Sequence, residues 1–314
     1  MATRAPERSR SVLPQYIALA VTWGASFLFI KIGLEGLSPA QVVLGRLLTG
    51  ALALAVISIA RRQSLPRDPS VWVHLLVVAI LLCVAPFLLF AWAEKDISSG
   101  LASIYNATTP LMTMLVSLAA LPAERPTRSR LVGLAAGFLG VVIVLGPWRG
   151  LGHGATTAQL ACLAATTSYG LAFVYLRRFI SARGLPALSV ATVQVGLGAA
   201  VMLLSAPMVA RGSVDLTARV VLSVLALGVL GTGLAYVWNT NIVVGWGATN
   251  ASTVTYLTPV VGIVLGVLVL SETVRWNQPL GAQIVILGIA LSQGRLAVGS
   301  IRALPGYMIK LSGR

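Results

Sequence analysis

Apolar runs of about twenty residues, each closed by a short polar or Gly/Pro-rich break, follow one another from Val12 almost to the end of this chain. At 1.5 Å per residue, about twenty apolar residues cross a hydrocarbon layer of about 30 Å. The pattern predicts ten spans, at 14–34, 38–60, 71–93, 100–121, 130–147, 157–179, 187–207, 216–238, 248–270 and 278–298. Each is expected to be a helix, because an isolated strand in lipid leaves its backbone N–H and C=O groups unpaired. The breaks carry turn chemistry, as in Arg67-Asp68-Pro69-Ser70 and Gly146-Pro147-Trp148-Arg149-Gly150.

The runs fall into two series with the same landmarks in the same order. A Tyr, a Thr-Pro step, a dozen mostly apolar residues, a Glu and a Gly run as Tyr105, Thr109-Pro110, Glu124 and Gly133. They recur as Tyr256, Thr258-Pro259, Glu272 and Gly281. Upstream, Trp92 and Trp238 end similar segments at an offset of 146 residues. Shared order over this length points to an internal duplication. The expected organisation is a cytoplasmic tail (1–11), a first five-helix repeat (12–147), a periplasmic linker (148–156), a second repeat (157–298) and a second tail (299–314).

Composition decides the solvent. The 314 residues are 57% hydrophobic and 10% charged, with a mean hydropathy of +0.90, too little polar material to surface a soluble domain of this size. The net charge of +15 does not indicate nucleic acid, because the basic residues sit in small clusters between apolar runs instead of beside aromatic or polar readers. Cys83 and Cys162 lie inside apolar runs and have neither metal-ligand nor disulfide spacing.

Charge also orients the chain. With the N-terminus cytoplasmic, sixteen Lys and Arg fall in inside segments and six in outside segments, leaving Arg46 within a span. Both termini are then inside, and five helices per copy turn the second copy upside down. The expected fold is therefore an all-α integral membrane protein of ten transmembrane helices in two inverted-topology repeats of five. That arrangement allows a central site to open alternately to each side.

With these landmarks, Trp23-Gly24 in the first span, Pro39 and Arg46 in the second and Tyr169-Gly170 in the sixth, the chain resembles the drug/metabolite transporter superfamily. Within it, residues 15–298 are similar to the exporters built from two EamA domains, including aromatic amino-acid exporters. The resemblance implies ten helices, cytoplasmic ends, a central cavity reached by alternating access, and export of amino acids or other small metabolites across a bacterial inner membrane. One departure is the seventh span, which offers only Gln194 where the second has Arg46.

Polar residues inside the spans supply a candidate cavity lining: Trp23, Tyr105, Asn106, Thr109, Ser168, Tyr169, Asn250, Thr253 and Tyr256. Aromatics, hydroxyls and amides suit a zwitterion or a mixed polar and apolar solute. Arg46 is costly at about 2.5–3.5 kcal/mol for a mid-helix Arg. Its expected role is bracing a neighbouring helix, with direct substrate contact as the alternative. Pro110 and Pro259 are expected to kink their helices at the gate or cavity wall, and Gly133 and Gly281 to serve helix packing. The Gly133/Gly137 and Gly262/Gly266 pairs are read as internal packing, so a monomer is expected. No Asp, Glu or His falls at mid-span, which favours facilitated diffusion or exchange over a proton-coupled antiporter. A channel is the other alternative. No catalytic, metal or cofactor constellation occurs, so the expected partners are a small-molecule substrate and the lipid bilayer.

Overall fold

The computed structural model describes residues 12–120, 127–149, 153–247, 251 and 253–294. Among the described residues helices follow one another in order, and no strand occurs. They are α1 (Val12–Gly33), α2 (Pro39–Ala60), α3 (Pro69–Ala93), α4 in two pieces (Ser99–Asn106 and Thr109–Ala120), α5 (Arg128–Leu145) and α6 (His153–Phe179). The rest are α7 (Ala187–Val209), α8 (Ala218–Trp246), α9 (Val254–Leu270) and α10 (Asn277–Ser292).

Among the described residues seven helices, α1 to α3 and α5 to α8, are long and apolar enough to cross a membrane. The other three differ for local reasons. The chain turns at Ala107 and Thr108 just before Pro110, which splits α4. The described helices α9 and α10 have 17 and 16 residues. The eighth helix runs to Trp246, well past its expected end at 238, because no proline and no positive-φ residue intervenes before Gly247 at φ +86°. Large apolar side chains such as Ile59, Leu204 and Leu268 project outward, as a lipid-facing surface requires.

Helix starts are set by local chemistry. Ser38 and Gln41 form a reciprocal capping box ahead of α2, with Pro39 as the first helical residue. Asp68 caps α3 through the Ser70 amide and also holds Arg183, from the turn after α6, at 2.8 Å. The Ser70 hydrogen bonds, and then Arg183, hold the Asp68 carboxyl below the usual carboxylate range. A depressed folded-state value means that its contribution is present above the ordinary Asp range and is lost as pH falls through the lowered one.

Two helices carry π-helical stretches, Ile80–Val84 in α3 and Ala226–Leu234 in α8. They begin at the same 146-residue offset that relates Trp92 to Trp238. Such stretches widen a helix and strand carbonyls. Here Ser168 Oγ donates to Leu81 O in one, and Thr232 Oγ1 to Leu227 O in the other.

Contacts between the halves are exchanged reciprocally. The first-half helix α1 packs on α8 and α9, while the second-half helix α6 packs on α3 and α4. The Trp23-Gly24 and Tyr169-Gly170 steps sit at those crossings. A Cβ on Gly24 would meet Val261 Cβ at 2.5 Å, and one on Gly170 would meet the Met112 backbone at 3.0 Å. Outside them, α5 and α10 lie backbone to backbone. A Cβ on Gly288 would come within 2.5 Å of Gly137 N and 2.6 Å of Gly133 O, and one on Gly281 within 2.7 Å of Gly140 O. In lipid, where helices gain little from burying apolar surface against each other, such close approach supplies the attraction.

Gly288→Ala is therefore expected to force α5 and α10 apart and cost about 1–3 kcal/mol, read as a lower thermal midpoint of the detergent-solubilised protein. Gly196→Ala, in a mid-helix position with nothing within 4 Å of the added carbon, should leave that midpoint unchanged or raise it slightly.

Candidate functional site: a central cavity

A cavity of about 210 Å³ lies where helices of both halves converge. It is smaller than the roughly 300–1,000 Å³ of drug-sized pockets, which fits a solute of metabolite size. One wall is Trp23, Ser26, Phe27 and Ile30 of α1 with Leu82, Phe87 and Phe90 of α3. Also lining the cavity are Tyr169 and Phe173 from α6, Gly231, Tyr236 and Asn239 from α8, and Thr255 and Thr258 from α9. Asn106 and Thr109 of α4 and Arg46 of α2 complete it. No residue of α5, α7 or α10 takes part.

The irregular parts of the helices shape this space. Leu82 and Gly231 belong to the two π-helical stretches, and Asn106 and Thr109 flank the break in α4. Irregular backbone at membrane depth is tolerated where it is buried in protein or lines a cavity. The stranded carbonyls are met by hydroxyls, as described for Ser168 and Thr232.

Among the described residues, Arg46 is the one charged residue in the lining. It is 8% exposed, its Nε donates to Thr232 Oγ1 at 3.1 Å, and its guanidinium lies 3.7 Å from the centroid of the Phe87 ring. The side chain therefore points inward, braced by α8 and α3, and does not reach back along its stem to an interface. Cation–π contact of this kind offsets part of the cost of burial.

A second polar cluster lies where α3 meets α4. Lys31 Nζ donates to the Glu94 and Ile97 carbonyls, tying the end of α1 to that turn. Glu94 is fully buried, and neither of its carboxyl oxygens has a hydrogen-bond partner. Glu272, from the α9–α10 link, accepts from Ser99 N at 2.7 Å and Gly100 N at 3.0 Å. It thus caps α4, a helix of the other half.

The model of the EamA-like transporter family matches residues 13–146 and, a second time, residues 156–293. The chain belongs to the EamA-like transporter family. It is accordingly a membrane transporter, and among the described residues no group of His, Cys, Asp and Glu could hold a metal ion. This EamA-family chain is 26% identical over 291 residues to an uncharacterized inner membrane transporter, YedA, of Escherichia coli (strain K12), covering 90% of this chain and 92% of the relative. It is 24% identical over 285 residues to a probable amino-acid metabolite efflux pump of the same organism, covering 88% and 92%. A crystal structure at 22% identity aligns with a TM-score of 0.66 over 92% of this chain and 100% of the other, which shows a shared fold.

Of the residues singled out in the sequence of this EamA-family member, Trp23, Asn106, Thr109 and Tyr169 line the cavity together with Arg46. Four others are engaged elsewhere. Tyr105 is 1% exposed with its hydroxyl donating to Gln159, and Ser168 serves Leu81 O. Thr253 pairs with Tyr16, and Tyr256 donates to Gln293 at 2.8 Å. Asn250 and Glu124 lie outside the described residues. Pro110 sits at the start of the second piece of α4, and Pro259 lies within α9 five residues after its first. Both glycine pairs pack internally, Gly262 against Ser103 and Gly266 against Glu272 and Ser99.

The sequence reading missed Tyr236, Asn239, Thr255 and Thr258. Asn239 lay one residue beyond the expected end of the eighth span. Thr255 and Thr258 share the three-residue spacing of Asn250, Thr253 and Tyr256 but project from a neighbouring face, and each residue turns a helix by about 100°. Removing the cross-half cap by Glu272→Ala should lower stability by about 1.5–3 kcal/mol, seen as a reduced thermal midpoint in detergent, with Glu272→Gln retaining part of the loss.

Proposed function

We propose that this chain is an alternating-access exporter of small metabolites, foremost neutral or aromatic amino acids, in a bacterial inner membrane. In this reading ten helices form two inverted five-helix repeats, both termini are cytoplasmic, and a monomer suffices. The observation that carries it is the central cavity, small, largely apolar, and walled by reciprocal helices of two halves that match the same family model. The amino-acid assignment draws support from the named efflux relative and from a lining of aromatics, hydroxyls and amides. The inner-membrane assignment draws it from YedA. The monomer is supported by glycine pairs that are consumed in contacts within the chain.

Facilitated diffusion or exchange is the cycle this lining supports, since its described residues include no Asp, Glu or His. Proton antiport is the second reading, and the buried, unpartnered Glu94 is what favours it. In proteoliposomes, L-phenylalanine should show saturable uptake accelerated by the same solute inside, with no accumulation driven by a pH gradient alone. Accumulation against its gradient at the expense of the pH gradient points to the antiporter, and ohmic current without counterflow rejects the carrier.

Topology is open to a separate check in a background where Cys83 and Cys162 are replaced. Gly212→Cys, between α7 and α8, should react with an impermeant maleimide in intact cells. Gln63→Cys, between α2 and α3, should react only after permeabilisation. Equal labelling of both removes the inverted repeat.

A further inference from the structure

We propose that Arg46 is the anchor for the carboxylate of the transported solute, so that the cavity selects monocarboxylates with an apolar body and does not require an amino group. The inference rests on the transport reading in one respect, that this cavity is where the solute binds.

Its basis is a mismatch of charge. Arg46 carries a full positive charge into a mostly apolar space, and among the described residues no acidic one lines the cavity with it. Among the described residues only its Nε has a hydrogen-bond acceptor, the Thr232 hydroxyl. The two terminal amino groups of the guanidinium, the pair that grips a carboxylate in a bidentate fork, have none. Phe87 holds the plane on one side, which fixes its direction as a loose side chain would not.

Glu94 lies within electrostatic reach of Arg46 but makes no ion pair with it; a buried cation without a contacting counter-ion is expensive, and the cost is relieved when an anion enters. The rest of the lining narrows what that anion is. One Arg balances one negative charge, and no second cation is available for a phosphate dianion. Phe27, Ile30, Phe90 and Phe173 suit an apolar body. An ammonium group would find only neutral acceptors, the amides of Asn106 and Asn239 among them, so it is accommodated without being demanded.

The test uses two isosteric probes and a cation of matched chain length: 3-phenylpropanoate, 3-phenylpropanamide and 3-phenylpropylamine. Binding to the purified full-length protein is measured by calorimetry and by thermal shift. The acid is expected to bind at least ten-fold more tightly than the amide, and the amine more weakly than either. R46Q should abolish the preference of acid over amide, while R46K should shrink the acid-to-amide ratio several-fold without abolishing it, since an ammonium lacks the planar fork. Should R46Q fail to fold, R46K alone still decides, because a structural Arg predicts no change in the acid-to-amide ratio. Equal binding of acid and amide, a preference for the amine, retention of the acid preference in R46Q, or no binding of any probe at millimolar concentration overturns the proposal. Counterflow of L-phenylalanine is scored separately: its absence alongside acid-selective binding removes the transport reading and leaves the carboxylate site standing.

Discussion

The two halves of this molecule are held by places where one backbone lies directly on another. Helices in lipid gain little from burying leucine against leucine, because the tails around them are equally apolar. What remains is dispersion and shape, and both need small residues at the crossings. Gly288 against Gly137 and Gly133, Gly24 against Val261, and Gly170 against Met112 meet that need at three separate seams. Each seam joins first-half helices to second-half helices, so the chain is folded across its own duplication.

With α5 and α10 clamped together outside the cavity, the remaining helices have freedom to be irregular inside it. Both π-helical stretches, the α4 break and the charged lining residue Arg46 occur there. Irregular backbone would be costly facing lipid, but here its carbonyls are met by Ser168 and Thr232. Thr232 has two roles at once, since the hydroxyl that donates to Leu227 also accepts from Arg46. A cavity built this way is polar only where a hydroxyl or an amide was placed.

Much of the architecture was legible in the amino acids. Bounds for α2, α3 and α7 follow from Ser38-Pro39, Asp68-Pro69 and Pro186, where a proline next to the helix start leaves little ambiguity. The end of α8 was not legible, because Asn239, Thr240 and Asn241 look like a polar break yet are accommodated within the helix: Thr240 donates to Tyr236 O and Asn241 to Gln15 of α1. The break in α4 was visible as Pro110 but not its position ahead of the proline, at Ala107 and Thr108. In the lining, Asn106 and Thr109 were found and Tyr105 misplaced for a related reason. Polarity names the residue types that line a cavity, but only the rotation of the packed helix selects the face. Arg46 stood out in sequence by cost alone, and its inward direction depended on Phe87 and Thr232, which lie on other helices.

Glu272 closes the amide end of α4 from a point more than 170 residues later in the chain. A ribosome delivering this protein to the bilayer makes Ser99 and Gly100 long before that carboxylate exists. Through most of synthesis those two amides must rely on water or headgroups at the surface of the bilayer. The fourth helix therefore reaches its finished seat only once nearly the whole polypeptide has been threaded, so maturation of the early part is tied to arrival of the late part.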